Sequence, residues 1–309
     1  MSSNETVISA QGLTKVFKDF WGRPKARAVE GIDFEVKRGE VFGLLGPNGS
    51  GKSTTVKMLL GLLYPTRGRI TVFDHSPRHV QTKARIGYLP EESYLYRYLN
   101  SDETIDFFGS LFHIDSKERR ERAEQLIEMV GLENARHRHV GEFSKGMQRR
   151  IGLAQALIND PDLIILDEPT SSLDGSIAGQ LLAHVRRFCA GGGSVIFISH
   201  MLGEVFDVAT RIAVMKDGRV IADREAGHFT RQSLVSAMGH VASEKAAQRV
   251  RPQGDDILST PEGLKARRGE IVGLAGLAGH GQAEALAAFY LSQTSNWRAR
   301  APQAVFVAG

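Results

Sequence analysis

The 309-residue sequence predicts an α/β fold: a mostly parallel sheet core, a helical subdomain set into it, and a partial second copy of its opening unit near the C-terminus. Three observations predict this. Short apolar runs, "VFGLL" at 41, "LIILD" at 163, "SVIFIS" at 194 and "RIAVM" at 211, recur without polar alternation. Unbroken runs of that length suit strands covered on both faces, hence parallel strands with helices between them. The first run passes straight into the glycine-rich stretch "GPNGSGKST", and the type of pattern at 37–51, "KRGEVFGLLGPNGSG", returns 230 residues later as "RRGEIVGLAGLAGHG". Self-similarity of that kind marks a repeated supersecondary unit.

Taken in chain order, residues 1–240 hold one complete unit. Within it, residues 92–158 change texture: "DETIDFFGSLFHI" and "SKERRERAEQLIEMVGL" carry helical periodicity and no buried-strand run, so a helical subdomain is expected there. Residues 241–262 are polar, charged and broken by two prolines, which reads as a linker. Residues 263–309 hold the second copy, which stops after "QAVFVAG" with less than half of a second unit present.

Composition excludes several classes. The net charge of +4 and pI near 9.2 suit an acidic ligand or membrane headgroups, and equally an ordinary solvated surface. Cys189 is the single cysteine, so no internal disulfide can form and a reducing compartment is expected. The opening "MSSNETVISA" has no basic and apolar leader pattern, and no uncharged apolar run approaches the ~20 residues of a spanning helix. A role at a membrane would therefore run through a partner.

The chemistry gathers in three motifs. Residues Gly46, Pro47, Asn48, Gly49, Ser50, Gly51, Lys52, Ser53 and Thr54 follow a strand and open a helix, and they fit G-x-x-x-x-G-K-S. Glycines let the backbone wrap a phosphate with its N–H groups, the helix N-terminus adds partial positive charge, Lys52 reaches the β and γ phosphates, and the Ser53 hydroxyl suits Mg2+. "DLIILDEPTSSLD" is a buried strand ending in two acids, where Asp167 can join a Mg2+ shell and Glu168 can polarise an attacking water. In "FSKGMQRRIGLAQ", Met147, Ile151, Ala154 and Ile158 share a packing face. Ser144 and Gly146 stand at that helix start, as a plain N-cap or as a hydroxyl and bare amides facing an anion.

In this order the motifs resemble the nucleotide-binding subunits of the ATP-binding cassette (ABC) family, over residues 7–240. The resemblance implies a P-loop NTPase core that uses ATP and Mg2+. In its terms Gly46 to Thr54 is the Walker A loop, "LIILDE" the Walker B strand and "FSKGM" the signature. "SSLD" with Asp174 is similar to the D-loop, His200 to the switch histidine, and Phe17 to the aromatic that stacks on adenine. Glu91, after Pro90, stands where many cassettes have a glutamine; a carboxylate there still accepts hydrogen bonds and can approach the metal, so it counts as both catalytic and metal-binding. The signature implies a head-to-tail dimer with a second cassette, as homodimer or heterodimer, because it binds the γ-phosphate held opposite.

"IGYLPEE" and the Lys145 and Met147 replacements are similar to drug and antibiotic exporter cassettes, whereas "ISHMLGEVFDVATRIAVMKDGR" and the repeat are similar to tandem-cassette monosaccharide importers. Transport direction stays open between them. The second loop has Gln282 for the lysine and Ala283 for the hydroxyl, so it is expected to be degenerate and not to hydrolyse ATP. The expected function is an ATPase subunit that powers integral membrane permease subunits from the cytoplasmic face of the cell membrane, with no nucleic acid partner. The alternative is a soluble ABC ATPase acting on ribosomes or nucleic acid.

Overall fold

A computed structural model describes residues 5–238, 256–259, 265–267, 272 and 306–307. The chain divides into two compact units, residues 1–241 and 242–309. In the first, β1 (Thr6–Lys18) and β2 (Pro24–Lys37) lead to β3 (Val41–Leu45), α1 (Lys52–Leu59), β4 (Arg67–Val72), α2 (Val80–Ala84) and β5 (Ile86–Leu89). Three helices follow: α3 (Ser101–Leu111), α4 (Ser116–Met129) and α5 (Lys145–Leu157). The chain then returns to the sheet through β6 (Leu163–Asp167), α6 (Gly175–Ala190), β7 (Ser194–Ile198), α7 (Leu202–Val208), β8 (Arg211–Lys216), β9 (Arg219–Glu225) and α8 (Arg231–Ala237).

The main sheet has the order β5-β6-β7-β3-β8-β9 and is parallel except for β9. The four apolar runs are its four central strands. Each feeds two cores at a period of two. Phe42, Leu44, Leu163, Ile165, Ile196, Ile198, Ala213 and Met215 join one cluster, and Val41, Leu45, Ile164, Leu166, Val195, Phe197, Ile212 and Val214 the other. A second, antiparallel sheet, β2-β1-β4, packs through Ile8, Leu13, Val29 and Val72 into the first cluster, together with Val56, Met58 and Leu59 of α1. The other cluster lies under α6 and α7 through Leu182, Val185, Leu202 and Val205.

The helical subdomain has a core of its own, including Ile105, Ile127, Val140, Ile151, Ala154 and Ile158, with Met147 half-buried against it. Its helices begin where local caps dictate. Asn100 and Glu103 form a reciprocal capping box on α3, Asp115 caps α4, and Ser144 caps α5.

In the second unit β10 (Asp256–Ser259) pairs antiparallel with β11 (Lys265–Arg267) and with β12 (Phe306–Val307). Residues 256–259 fall inside the stretch read as a linker, and there the chain is a strand. Within that polar stretch Ile257 and Leu258 are adjacent apolar residues, a pair that favours strand. The glycine-rich loop of the repeat, with Gln282 and Ala283, lies outside the described residues. Among the described residues no helix is long and apolar enough to cross a membrane.

Candidate functional site

Because β3, β6 and β7 run parallel, the loop after β3, the acids after β6 and His200 after β7 all emerge at the carboxyl edge of the sheet. The loop from Gly46 to Gly51 is clamped from below. A Cβ on Gly46 would stand 2.2 Å from the Met215 carbonyl oxygen, and one on Gly51 2.4 Å from that of Ala28; both residues have positive φ, at 151° and 105°. Only glycine fits either place. The loop ends in α1, whose N-cap is Gly51; the helix start has no side-chain cap and no acid in its first turn, so its amides remain available to an anion. Ser50 Oγ, also buried, has no hydrogen-bond partner among the described residues.

Lys52 folds back across the loop mouth, where Nζ donates to the carbonyl oxygens of Gly46 (2.6 Å) and Pro47 (3.0 Å). Burial lowers its pKa, while the carboxylates of Glu168, Asp167 and Glu91 act in the opposite sense. The charges of Glu91 and Glu168 both act on Asp167. Asp167, at the end of β6, is pushed up to about 6, first by burial and then by the charges of Glu91 and Glu168. Glu168 takes a left-handed backbone (φ 51°), its N–H donates to the Ile198 carbonyl, and its Oε2 lies 2.7 Å from His200 Nδ1. Three acids set against the Lys52 ammonium and the Arg149 guanidinium still leave the site short of positive charge.

The fit to a metal-bound triphosphate follows from this donor set. Ser53 is exposed in the first turn of α1 and Asp167 closes β6. Among the described residues no three His, Cys, Asp or Glu side chains gather as a ready metal cage. A hydroxyl and one or two carboxylates are what Mg2+ uses when phosphate oxygens and water complete its octahedron. The uncapped helix, the orphan Ser50 Oγ and the Lys52 ammonium answer the phosphates.

The remaining expected residues are placed as follows. Ser144 Oγ accepts from the Met147 N–H as the cap of α5. Gly146 packs against the next loop: a Cβ there would stand 2.9 Å from the Ser172 carbonyl oxygen, and Ser172 itself is left-handed (φ 67°). Asp174 caps α6 by accepting from the Ile177 N–H. Phe17 stands on β1, partly exposed, with Lys15 Nζ 5.4 Å from its ring centroid.

A family model described as "ABC transporter" matches residues 29–171. The linearmycin resistance ATP-binding protein LnrL of Bacillus subtilis is 38% identical over 218 residues, which are 70% of this chain and 68% of that protein. The chain belongs to the ABC transporter ATP-binding family. A fluoroquinolones export ATP-binding protein of Mycobacterium tuberculosis is 40% identical over 220 residues, 70% of each chain. An uncharacterized ABC transporter ATP-binding protein of Synechocystis is 38% identical over 218 residues, and the chain spans only 62% of its length. Among solved structures, a dimeric ATP-binding cassette in a post-hydrolysis state with ADP and Pi aligns with a TM-score of 0.66 at 25% identity, covering 72% of this chain and all of that one.

Two features of this ABC cassette escaped the sequence reading. Arg149 is buried (5% exposed), and its guanidinium donates to the carbonyl oxygens of Pro90, Glu91 (3.0 Å), Asp167 and Pro169 (3.3 Å). It thereby ties α5 to the loop carrying Glu91 and to the acid-bearing end of β6. Burial drops its pKa to about 10, against the pull of Asp167, Glu168 and Glu91. The second feature is Glu204 on α7, whose Oε2 accepts from Thr170 Oγ1 (2.5 Å) and Ser199 Oγ (3.2 Å). It joins the loop after Glu168 to the loop before His200. Arg149 lies off the packing face of Met147, Ile151, Ala154 and Ile158, and no local pattern marks either Arg149 or Glu204.

Proposed function

We propose that residues 5–238 form an ATP-hydrolysing cassette that closes head to tail on a second cassette and drives a separate membrane permease. The observation that carries this reading is the meeting of Lys52, Asp167 and Glu168 above a loop that tolerates only glycine at positions 46 and 51. The loop amides and Lys52 bind the β and γ phosphates, and the Phe17 ring offers a face to adenine. Ser53 and Asp167, with Glu91, would hold Mg2+, which would supply neutralisation of phosphate charge. Glu168 orients the attacking water and accepts its proton; His200, 2.7 Å from Oε2, holds that carboxylate in place and leaves Oε1 to the water. Asp174, Ser144 and Gly146 belong to the face that meets the partner cassette.

Relatives named for linearmycin resistance and for fluoroquinolones export support export as the direction. A permease partner places the cassette on the cytoplasmic face of the membrane. Residues 263–309 read as a degenerate second cassette that adds no turnover, because Gln282 and Ala283 replace the lysine and hydroxyl of the first loop.

The shared site is testable in trans. A Lys52→Ala chain and a Ser144→Arg chain damage different halves of a composite site, so each alone should be inactive and a mixture should recover phosphate release. No recovery from chains shown to exchange would refute the head-to-tail arrangement.

A further inference from the structure

Between Phe17 and Arg27 of the β1–β2 hairpin, the nucleotide site uses only Phe17. Beyond it the two strands leave the body of the protein: Phe17 and Lys18 are exposed, and so is every residue from Phe20 to Arg27, so this end of the ribbon packs no face on the core. The turn is nonetheless well determined. Asp19 Oδ1 accepts from the N–H groups of Trp21 and Arg23, both at 2.9 Å, the Asp19 N–H donates to the Arg23 carbonyl, and the Gly22 N–H donates to that of Asp19. At its apex Phe20 is 94% and Trp21 77% exposed, ring edge to ring face at 5.5 Å.

The charge is as uneven as the exposure. Residues 15–27 carry Lys15, Lys18, Arg23, Lys25 and Arg27 against Asp19 alone, a net +4 that equals the net charge of the whole chain. Arg23 and Arg27 are paired with Asp19 and Glu30, and Lys15 donates to the Tyr64 carbonyl. The ammonium groups of Lys18 and Lys25 make no ion pair or hydrogen bond among the described residues. Two large aromatics in water beside unpaired lysines match the make-up of a membrane interface, where rings settle at headgroup depth and cations meet lipid phosphate. Single-stranded nucleic acid is instead held in grooves with stacking platforms. This tip is convex, and its two rings pack against each other.

We propose that the hairpin tip is a membrane finger: Phe20 and Trp21 enter the headgroup layer of an anionic bilayer while Lys18 and Lys25 pair with its phosphates. The preformed turn presents the rings with little ordering cost. The finger does not depend on hydrolysis, so it and the nucleotide site can fail separately.

The test is co-sedimentation of the full chain with vesicles of phosphatidylcholine alone and of phosphatidylcholine with phosphatidylglycerol. A Trp297→Phe background leaves Trp21 as the only tryptophan. Expected are binding to the anionic vesicles only, loss of binding at high salt, and a blue shift of Trp21 emission. The pair Lys18→Glu and Lys25→Glu should lower partitioning at least ~25-fold, from roughly five-fold per cation removed, and the pair Phe20→Ser and Trp21→Ser should abolish it. Circular dichroism melts and nucleotide affinity equal to the parent's establish that both variants fold. The proposal is overturned if the parent ignores anionic vesicles or if both variants bind them as the parent does. It is equally overturned if Trp21 emission responds to ATP but not to vesicles, which would assign the tip to the base pocket. Binding of a short single-stranded oligonucleotide in place of vesicles would overturn it as well.

Discussion

Replacing Arg149 by methionine keeps an unbranched stem and the helix propensity and removes the guanidinium that ties α5 to the Glu91 loop and to the end of β6. Four carbonyl oxygens lose their donor: those of Asp167 and Pro169 in a buried place, where water is a poor substitute, and those of Pro90 and Glu91 in a part-buried one. An orphaned buried acceptor costs ~1–3 kcal/mol, so four cost at least about 4 and up to about 12. Against this, the native fold holds the guanidinium charged although burial lowers its pKa from 12.5 to about 10. That shift corresponds to about 3 kcal/mol at ~1.4 per pH unit, which the variant recovers. Because water can partly answer the part-buried Pro90 and Glu91 acceptors, the cost falls in the lower half of that range, and the balance is a destabilisation on the order of 3 kcal/mol, the usual scale when one member of a buried charged cluster is removed. For a unit of this size each kcal/mol moves the melting temperature by about 2–4 °C, so a fall of roughly 6–12 °C is expected. A second effect is specific to the site: Arg149 lowers the pKa of Asp167, so in the variant Asp167 should titrate above its native value of about 6. Calorimetric melts of the nucleotide-free protein and Mg2+-dependent nucleotide binding across pH read the two effects separately. A melt within ~2 °C of the parent would refute the energetic reasoning, and an unchanged pH midpoint would refute the electrostatic link.

Glu168→Gln should bind ATP at least as tightly as the parent, release phosphate on the order of 100-fold more slowly, and collect as an ATP-closed dimer on size exclusion; parental hydrolysis would remove Glu168 from the role of base. Asp167 carries a folded pKa of about 6 against 3.8 for the free side chain, so Mg2+-dependent nucleotide binding should weaken as pH falls through 6 and the carboxylate takes a proton. The stability effect has the opposite sign: the raised pKa favours the nucleotide-free fold fully below about pH 4, and that contribution, about 3 kcal/mol at most, is lost as pH rises through 6. Asp167→Asn should flatten both profiles, and a nucleotide-free melt that is level from pH 4 to 7 in the parent would contradict this. Gly51→Ala forces a Cβ to within 2.4 Å of the Ala28 carbonyl and should abolish nucleotide binding, whereas at Gly49, where no atom lies within 4 Å of a Cβ, alanine meets only the left-handed backbone cost of ~1–2 kcal/mol. Equal nucleotide affinity in the two variants would count against the clamped loop.

The sequence by itself determined the parts that depend on one segment. Four apolar runs became the central strands, because a strand buried on both faces must be apolar throughout, whatever its neighbours are. The Gly46–Ser53 loop was legible because its backbone needs positive φ beside a helix start, a demand written in glycine positions, and the acids after β6 were legible by their place at a strand end. The order β5-β6-β7-β3-β8-β9 and the β2-β1-β4 sheet were not legible, since strand neighbours are chosen by packing between segments far apart in the chain. Arg149 marks the same boundary. The 3.6-residue period of α5 placed it off the apolar face, yet the tertiary structure buries it, because Pro90, Glu91, Asp167 and Pro169, from 18 to 59 residues away, bring their carbonyl oxygens to one point. Likewise Glu204 gains Thr170 and Ser199 as partners only once β6 and β7 lie side by side. Periodicity tells which face of a segment must leave water; which buried polar groups will answer a charge is decided only when distant segments meet.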